Sequence, residues 1–146
     1  MYSMKIKDQI IETWKIIYKN NEIAGEYFYS NLFKEHPSIE KLFKTEFDEH
    51  KVKLLDLLNY IVSRLDDFNV LIPQIRKLGI KHNGYGVKKK HYPIVGNILI
   101  QTLRNFIGEM WNDELEMVWI DLYNQIANIM MNPKDKQNKI DIDWSD

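Results

Sequence analysis

Residues 70–82 read VLIPQIRKLGIKH, and the apolar residues of this segment recur with the period of an α-helix. Spacings of four, three and four positions separate Leu71, Ile75, Leu78 and His82. These residues share one narrow face because each residue of a helix turns by about 100°. The next residues, NGYGV, contain two glycines and favour the end of the helix. We therefore expect a helix that ends near one histidine, on the same face as three aliphatic side chains.

A second segment has the mirror-image order. The same spacings of four, three and four positions separate His50, Leu54, Leu57 and Ile61, with the histidine at the N-terminal end. Two such helices facing each other would enclose a flat apolar slot with one imidazole on each wall. A haem site needs apolar walls, a histidine on the iron and a polar group near the sixth position. A lone histidine on an apolar face is more often an ordinary core residue, so the pattern alone leaves both interpretations open.

Length and composition narrow the class of protein. The chain has 146 residues, of which 45% are hydrophobic, so we expect one folded domain. Its net charge of −1 argues against a nucleic-acid partner. It contains no cysteine, which excludes disulfides, zinc-thiolate sites and covalent haem attachment through cysteine. We see no signal peptide or membrane span, and we expect a soluble, cytoplasmic protein without a membrane partner.

Apolar residues recur every three or four positions along the chain, and no segment alternates strictly over the length of a strand. This pattern predicts an all-α protein. Asn112 is a good N-cap and Gly108 a good C-terminal cap. The tail, residues 134–146, is mostly polar, and we expect it to be frayed. The predicted helices are seven in number, at about 5–18, 22–35, 37–43, 46–65, 70–82, 91–107 and 113–131.

Four segments resemble the globin family, in particular bacterial single-domain globins and the haem domain of flavohaemoglobins. They are FYSNLF at 28–33 with Pro37 and LF at 42–43, LGIKHNGYGV at 78–87, YPIVG at 92–96, and WIDLY at 119–123. The resemblance implies a globin domain over residues 1–133, with about seven helices sandwiching a non-covalent haem b, followed by the polar C-terminal tail 134–146. It also implies that the flavin and NAD reductase domains of flavohaemoglobins are absent.

The resemblance assigns roles to individual residues. His82 matches the proximal iron ligand, and His50, 32 residues earlier, matches the distal position. Tyr29 matches the distal tyrosine that donates a hydrogen bond to bound oxygen, although an aromatic core role is the alternative. Phe43 matches the phenylalanine on the haem face, and Tyr92 matches a tyrosine that helps to orient the proximal histidine. The other residues expected to line the haem are Leu54, Leu57, Leu78, Val87 and Val95.

Two positions depart from the flavohaemoglobin pattern. Glutamine is commoner than histidine at the distal position, and a histidine there could bind the iron directly as a sixth ligand. The glutamate that polarises the proximal histidine is missing from the region Pro133–Lys136. We expect a backbone carbonyl one turn before His82, near Leu78, to accept the hydrogen bond that fixes the ring.

The resemblance implies O₂, NO and CO as ligands, and two roles compete. One is oxygen binding for transport, storage or sensing. The other is nitric oxide dioxygenation with an external reductase, for which the missing glutamate is unfavourable. A haem-free helical interaction module is a remote third alternative. For the oligomeric state we expect a monomer or a weak homodimer.

Overall fold

The computed structural model describes residues 5–42, 53–142 and 144. This part of the chain contains α-helices and no strand, which confirms the all-α prediction. Two short 3-10 segments, Phe68–Leu71 and Gly108–Met110, precede α5 and α7. The α-helices are α1 (Ile6–Lys19), α2 (Asn21–Glu35), α3 (Pro37–Glu40), α4 (Lys53–Val62), α5 (Ile72–Gly84), α6 (His91–Ile107) and α7 (Asp113–Met131).

The ends of α6 and α7 follow the predicted cap chemistry. Gly108 ends α6 with a φ of 67°, a value that glycine adopts without steric cost. The side chain of Asn112 accepts a hydrogen bond from the backbone N–H of Leu115 at 2.8 Å and so caps α7. Such an N-cap stabilises a helix by about 1 kcal/mol.

The end of α5 differs slightly from the prediction. We expected the helix to end at His82, but it continues to Gly84. The reason is that Gly84 keeps a helical conformation, whereas the chain first turns to a positive φ, of 89°, at Gly86. His82 therefore lies inside the last turn of α5 and not at its end.

Hydrogen bonds and close packing hold the helices that carry the predicted site. Trp14 Nε1 of α1 donates to Asn59 Oδ1 of α4 at 2.9 Å, which fixes α4 against the first helix. Gly79 of α5 lies so close to α7 that an added Cβ would overlap the backbone of Met130. Gly96 of α6 similarly lies against the ring of Tyr123 in α7. Thus α1 holds α4 in place, and α7 holds α5 and α6.

The expectation of a frayed tail is wrong for the described residues. Ile140 and Ile142 are buried, and the Trp144 ring stacks on Phe68 with 6.2 Å between ring centroids. The backbone of Asp141 makes two hydrogen bonds with the side-chain amide of Gln125, at 2.6 and 2.8 Å. The physical reason is the alternation of apolar and polar residues in KIDIDW, which gives an extended segment one apolar edge. The division of the chain at residue 133 stays a prediction.

None of the described helices combines the length and the apolar character needed to cross a membrane.

Candidate functional site

The histidine that ends the apolar stripe of α5 is held by its own helix. His82 is half-buried, and its Nδ1 atom lies 2.8 Å from the carbonyl oxygen of Leu78, the predicted acceptor. In the tautomer with hydrogen on Nδ1, this nitrogen donates to the carbonyl and Nε2 keeps its lone pair. Burial lowers the pKa of His82, and the hydrogen bond to Leu78 opposes this shift in part. Burial thus favours the neutral imidazole, which is the form that binds a metal ion.

Five described apolar side chains that were predicted to line the haem are partly accessible. The ends of the two stripes that lie away from the histidines are fully buried. These ends are Ile61 in α4, Leu71 just before α5 and Ile75 within α5. Toward their histidine ends, the stripes become half-buried. The half-buried members, together with the predicted residues after α5, are Leu54, Leu57, Leu78, Val87 and Val95.

Val87 is placed next to the histidine by the backbone. Its N–H donates to the carbonyl of His82 at 3.0 Å, so the loop after α5 folds back on the last turn. Half-buried apolar side chains and a histidine that keeps the Nε2 lone pair are the kinds of group that a non-covalent haem requires. In their chemistry, the described residues fit this cofactor.

Tyr29 on α2 is buried among aromatic rings. Its ring lies 4.9 Å from that of Phe28, edge to face, and 5.9 Å from that of Phe33. Burial raises the pKa of Tyr29 far above its usual value of 10.0. The hydroxyl group consequently stays protonated at neutral pH and can donate a hydrogen bond. Its contact with a bound ligand stays a prediction, with a core role as the alternative.

Tyr92, near the N-terminus of α6, has a buried hydroxyl group. This hydroxyl finds no hydrogen-bond partner among the described residues. The backbone carbonyl of Tyr92 does have one, because the hydroxyl of Tyr123 donates to it at 2.7 Å. The carbonyl of Leu78 thus accepts the hydrogen bond that fixes the His82 ring. The role of Tyr92 in orienting that ring stays a prediction.

Two predicted residues, Phe43 and His50, lie outside the described residues, so the haem-face and distal roles assigned to them stay predictions.

Two positioning residues, Gly79 and Tyr123, were not predicted from the sequence. Gly79 brings α5 against α7, and Tyr123 holds the start of α6. A glycine in the middle of an apolar helical stripe is a recognisable signal of close helix packing, whereas nothing in the sequence indicates the bond between Tyr123 and Tyr92.

A cleft of about 270 Å³ opens between the start of α6 and the C-terminal half of α7. Of the predicted site residues that the structure describes, only Tyr92 lines it. The other lining residues are Lys89, Pro93, Tyr123, Asn124, Ala127, Asn128 and Met131.

Comparisons with known proteins give one consistent family. The globin family model matches residues 26–130. A flavohemoprotein from Bacillus subtilis is 26% identical over 131 residues, which are 88% of this chain and 33% of the relative. The chain thus spans about a third of the length of the flavohemoproteins it matches. A neuroglobin from Tetraodon nigroviridis is 29% identical over 142 residues, covering 88% of this chain and 89% of the relative.

Solved structures agree on the fold. A bacterial globin from Campylobacter jejuni superposes with a TM-score of 0.73 at 23% identity, covering 87% of this chain and 92% of that one. An engineered carbene transferase, described as a proposed nitric oxide dioxygenase from Rhodothermus marinus, gives a TM-score of 0.78 at 21% identity, covering 92% and 94%. These matches confirm the resemblance predicted from the sequence, and the chain belongs to the globin family.

Proposed function

We propose that this globin binds haem b without covalent bonds, through Nε2 of His82. The observation that carries the proposal is the bond between His82 Nδ1 and the Leu78 carbonyl, because it fixes the ring and leaves Nε2 available. When bound, haem would supply an iron atom that takes O₂, NO or CO as ligands. The globin family match and the flavohemoprotein relatives support this choice of cofactor.

Tyr29 is the described residue best suited to act on a bound ligand. It is a buried phenol that keeps its proton, so it can donate to the partial negative charge of a dioxygen ligand. His50 would be a second distal residue, either as a polar neighbour of the ligand or as a sixth iron ligand at rest. Leu54, Leu57, Leu78, Val87 and Val95 would exclude water from the macrocycle, with Phe43 on its face. Oxygen binding for transport, storage or sensing in the cytoplasm is the function we infer.

Absorption spectroscopy tests this proposal. Protein made with adequate haem supply should show the Soret band of a b-type globin, and ferrous protein should shift on addition of CO. His82→Ala should lose the band. His36→Ala, at a histidine between α2 and α3, is the matched control and should keep it. A colourless wild-type protein would contradict the proposal and favour a haem-free helical module.

The same spectra report on His50. Two sharp visible bands in the unliganded ferrous protein would place a second histidine on the iron. One broad band would leave the sixth position open. Conversion of the first pattern to the second in His50→Ala would identify His50 as the ligand.

Nitric oxide dioxygenation is the second candidate function. The buried donor Tyr29 favours it, because a strong hydrogen bond holds oxygen long enough to react with NO. The flavohemoprotein relatives also support it. However, the partner of the His82 ring among the described residues is a neutral carbonyl and not a carboxylate, which is unfavourable for fast turnover.

Steady turnover separates the two functions. An enzyme should consume NO and O₂ catalytically when a reductase and NADH are supplied, with nitrate as the product. A single stoichiometric reaction, followed by accumulation of the ferric form despite the reductase, would leave oxygen binding as the function.

A further inference from the structure

Three aromatic side chains form a row that leads from the core toward the surface, and we call them the aromatic row. The ring of Trp119 in α7 lies 5.8 Å from that of Trp14 in α1, measured between centroids. The Trp14 ring lies 6.2 Å from the Tyr18 ring, with 24° between the ring planes. Trp14 and Tyr18 are four positions apart, so one face of α1 carries both rings. Trp119 is 1% exposed and Tyr18 is half-buried, so the row leads outward.

The polar atoms of the three rings have different partners. The indole nitrogen of Trp119 is buried, and it has no hydrogen-bond partner among the described residues. Trp14 Nε1 donates to the amide oxygen of Asn59 at 2.9 Å. The hydroxyl of Tyr18 donates to Oδ1 of Asp56, also at 2.9 Å, and Asp56 is exposed. An amide oxygen accepts a hydrogen bond but is a very weak base, whereas a carboxylate can take up a proton. Within the aromatic row, the base therefore stands at the outer end.

This order of partners suits one-electron oxidation. An aromatic ring that loses an electron becomes a strong acid, and loss of its proton makes the radical a weaker oxidant. Neither indole faces a base in the described structure, so each oxidised indole would stay a strong oxidant and take an electron from the next ring. The hydrogen bond to Asp56, followed by burial and the charge of this carboxylate, raises the pKa of Tyr18, so the phenol keeps its proton until it is oxidised. The oxidation would consequently stop at Tyr18, where the proton can pass to Asp56.

The inner end of the aromatic row lies on the helix that packs against the predicted site. Trp119 belongs to α7, and the backbone of Met130 in the same helix contacts Gly79 of α5. The α5 helix carries His82. One helix thus connects the packing partner of the proximal helix with the first ring of the row.

We propose that Trp119, Trp14 and Tyr18 form an electron relay that carries oxidising equivalents from the interior to the surface when the protein reacts with hydrogen peroxide. The relay rests on the proposed function, because the peroxide would be reduced at the haem iron. Reduction of one peroxide molecule to two water molecules takes two electrons and two protons. Two protein molecules would supply them, each giving one electron from Tyr18 and the phenol proton by way of Asp56. The two tyrosyl radicals would then form a carbon–carbon bond as dityrosine, unless a soluble reductant restored them first.

Spin trapping of the ferric holoprotein treated with hydrogen peroxide tests the relay. Mass spectrometry of the trapped peptides should place the radical adduct of the wild-type protein mainly on Tyr18. Trp14→Phe removes the middle ring and should abolish most of this adduct. Trp111→Phe is the matched control and should keep the adduct, because this half-buried indole donates to Glu116 outside the row. An adduct that stays on Tyr18 in Trp14→Phe would overturn the relay.

A second tyrosine gives the competing outcome. Tyr85 is 53% exposed and lies three residues after His82, at the end of α5. Oxidation that left the haem directly through this residue would need no relay. An adduct confined to Tyr85 in the wild-type protein would therefore contradict the proposal.

Asp56→Asn tests the proton acceptor and leaves all three rings in place. Asparagine can still accept the hydrogen bond of Tyr18, but it cannot take up the proton. The Tyr18 adduct should fall, and electron paramagnetic resonance should show a larger share of tryptophanyl radical. Asp67→Asn removes the same charge at another exposed aspartate and should behave like the wild-type protein. An identical radical distribution in Asp56→Asn and wild type would reject the role of Asp56 and the direction of the relay.

Two further measurements separate the failure of the relay from that of the proposed function. Wild-type protein that shows a normal ferrous–CO spectrum but no radical on Tyr18 would reject only the relay, whereas colourless wild-type protein would reject the proposed function. The haem-free protein, treated with peroxide in the same way, should carry no adduct on Tyr18. An adduct there would show that peroxide oxidises Tyr18 from the solvent, and it would also overturn the relay.

Discussion

One hydrogen bond, from Nδ1 of His82 to the carbonyl oxygen of Leu78, holds the ring of the predicted iron ligand. The spacing of the α5 stripe predicted the helix face of His82 and the carbonyl that accepts its hydrogen bond, because residues four apart on a helix are neighbours. The structure has this bond at 2.8 Å. The hydroxyl of Tyr92, which has no hydrogen-bond partner among the described residues, was not predictable because its partners depend on tertiary packing.

Tyr29 can be tested at the same scale. If Tyr29 contacts the bound ligand as proposed, replacing it with Phe would remove a hydrogen bond to a partly charged group, which is worth about 1.5–3 kcal/mol. We expect oxygen to dissociate about 10- to 100-fold faster, as measured by stopped-flow displacement with CO. Tyr27→Phe is the control, because Tyr27 lies on the same helix but packs its ring on Phe106. Equal dissociation rates in wild type and Tyr29→Phe would return Tyr29 to an ordinary core role.

At the scale of elements, the sequence predicted every described α-helix, and the errors are at the helix ends. Periodicity gives the face that a helix buries but not its partner, and so the close approach of α5 to α7 at Gly79 emerged only from the structure. This contact positions the helix that carries His82. The position of His82 therefore depends on the absence of a side chain at Gly79.

Gly79→Ala should push α5 away from α7. Its Cβ would overlap the Met130 backbone, which cannot rotate away as a side chain could. We expect the free energy of unfolding, measured in urea, to fall by about 1–3 kcal/mol. Gly84→Ala is the matched control on the same helix, since its Cβ would meet nothing within 4 Å. That variant should be neutral or gain up to about 1 kcal/mol from helix propensity. A loss of stability shared by both variants would show that the α5–α7 contact is not the cause.

At the scale of the whole molecule, the sequence predicted the fold and the family, whereas the roles assigned to the site residues stay predictions. Phe43 and His50 on the predicted distal side lie outside the described residues, and their roles rest on the resemblance alone. The tail was misjudged because its composition is polar, while its order, apolar at every second position from Ile140 to Trp144, carried the opposite information. Composition does not record the order of the residues, whereas the packing of the tail depends on that order.

The tail should therefore contribute to global stability. Ile140 is buried, and its backbone N–H donates to Asn69 Oδ1 at 3.2 Å, so the segment closes the core beside the start of α5. Ile140→Ala removes buried methyl groups and should lower the free energy of unfolding by about 2 kcal/mol, at the low end of such substitutions because a terminal segment can readjust. Lys139→Ala, at the exposed neighbour, should stay within about 0.5 kcal/mol of wild type. Urea midpoints of the holoprotein and of the haem-free protein give the comparison. Equal midpoints for Ile140→Ala and Lys139→Ala would mean that the tail rests on the core without stabilising it. A loss for Ile140→Ala that is the same with and without haem would place the contribution of the tail in the shared core, away from the cofactor.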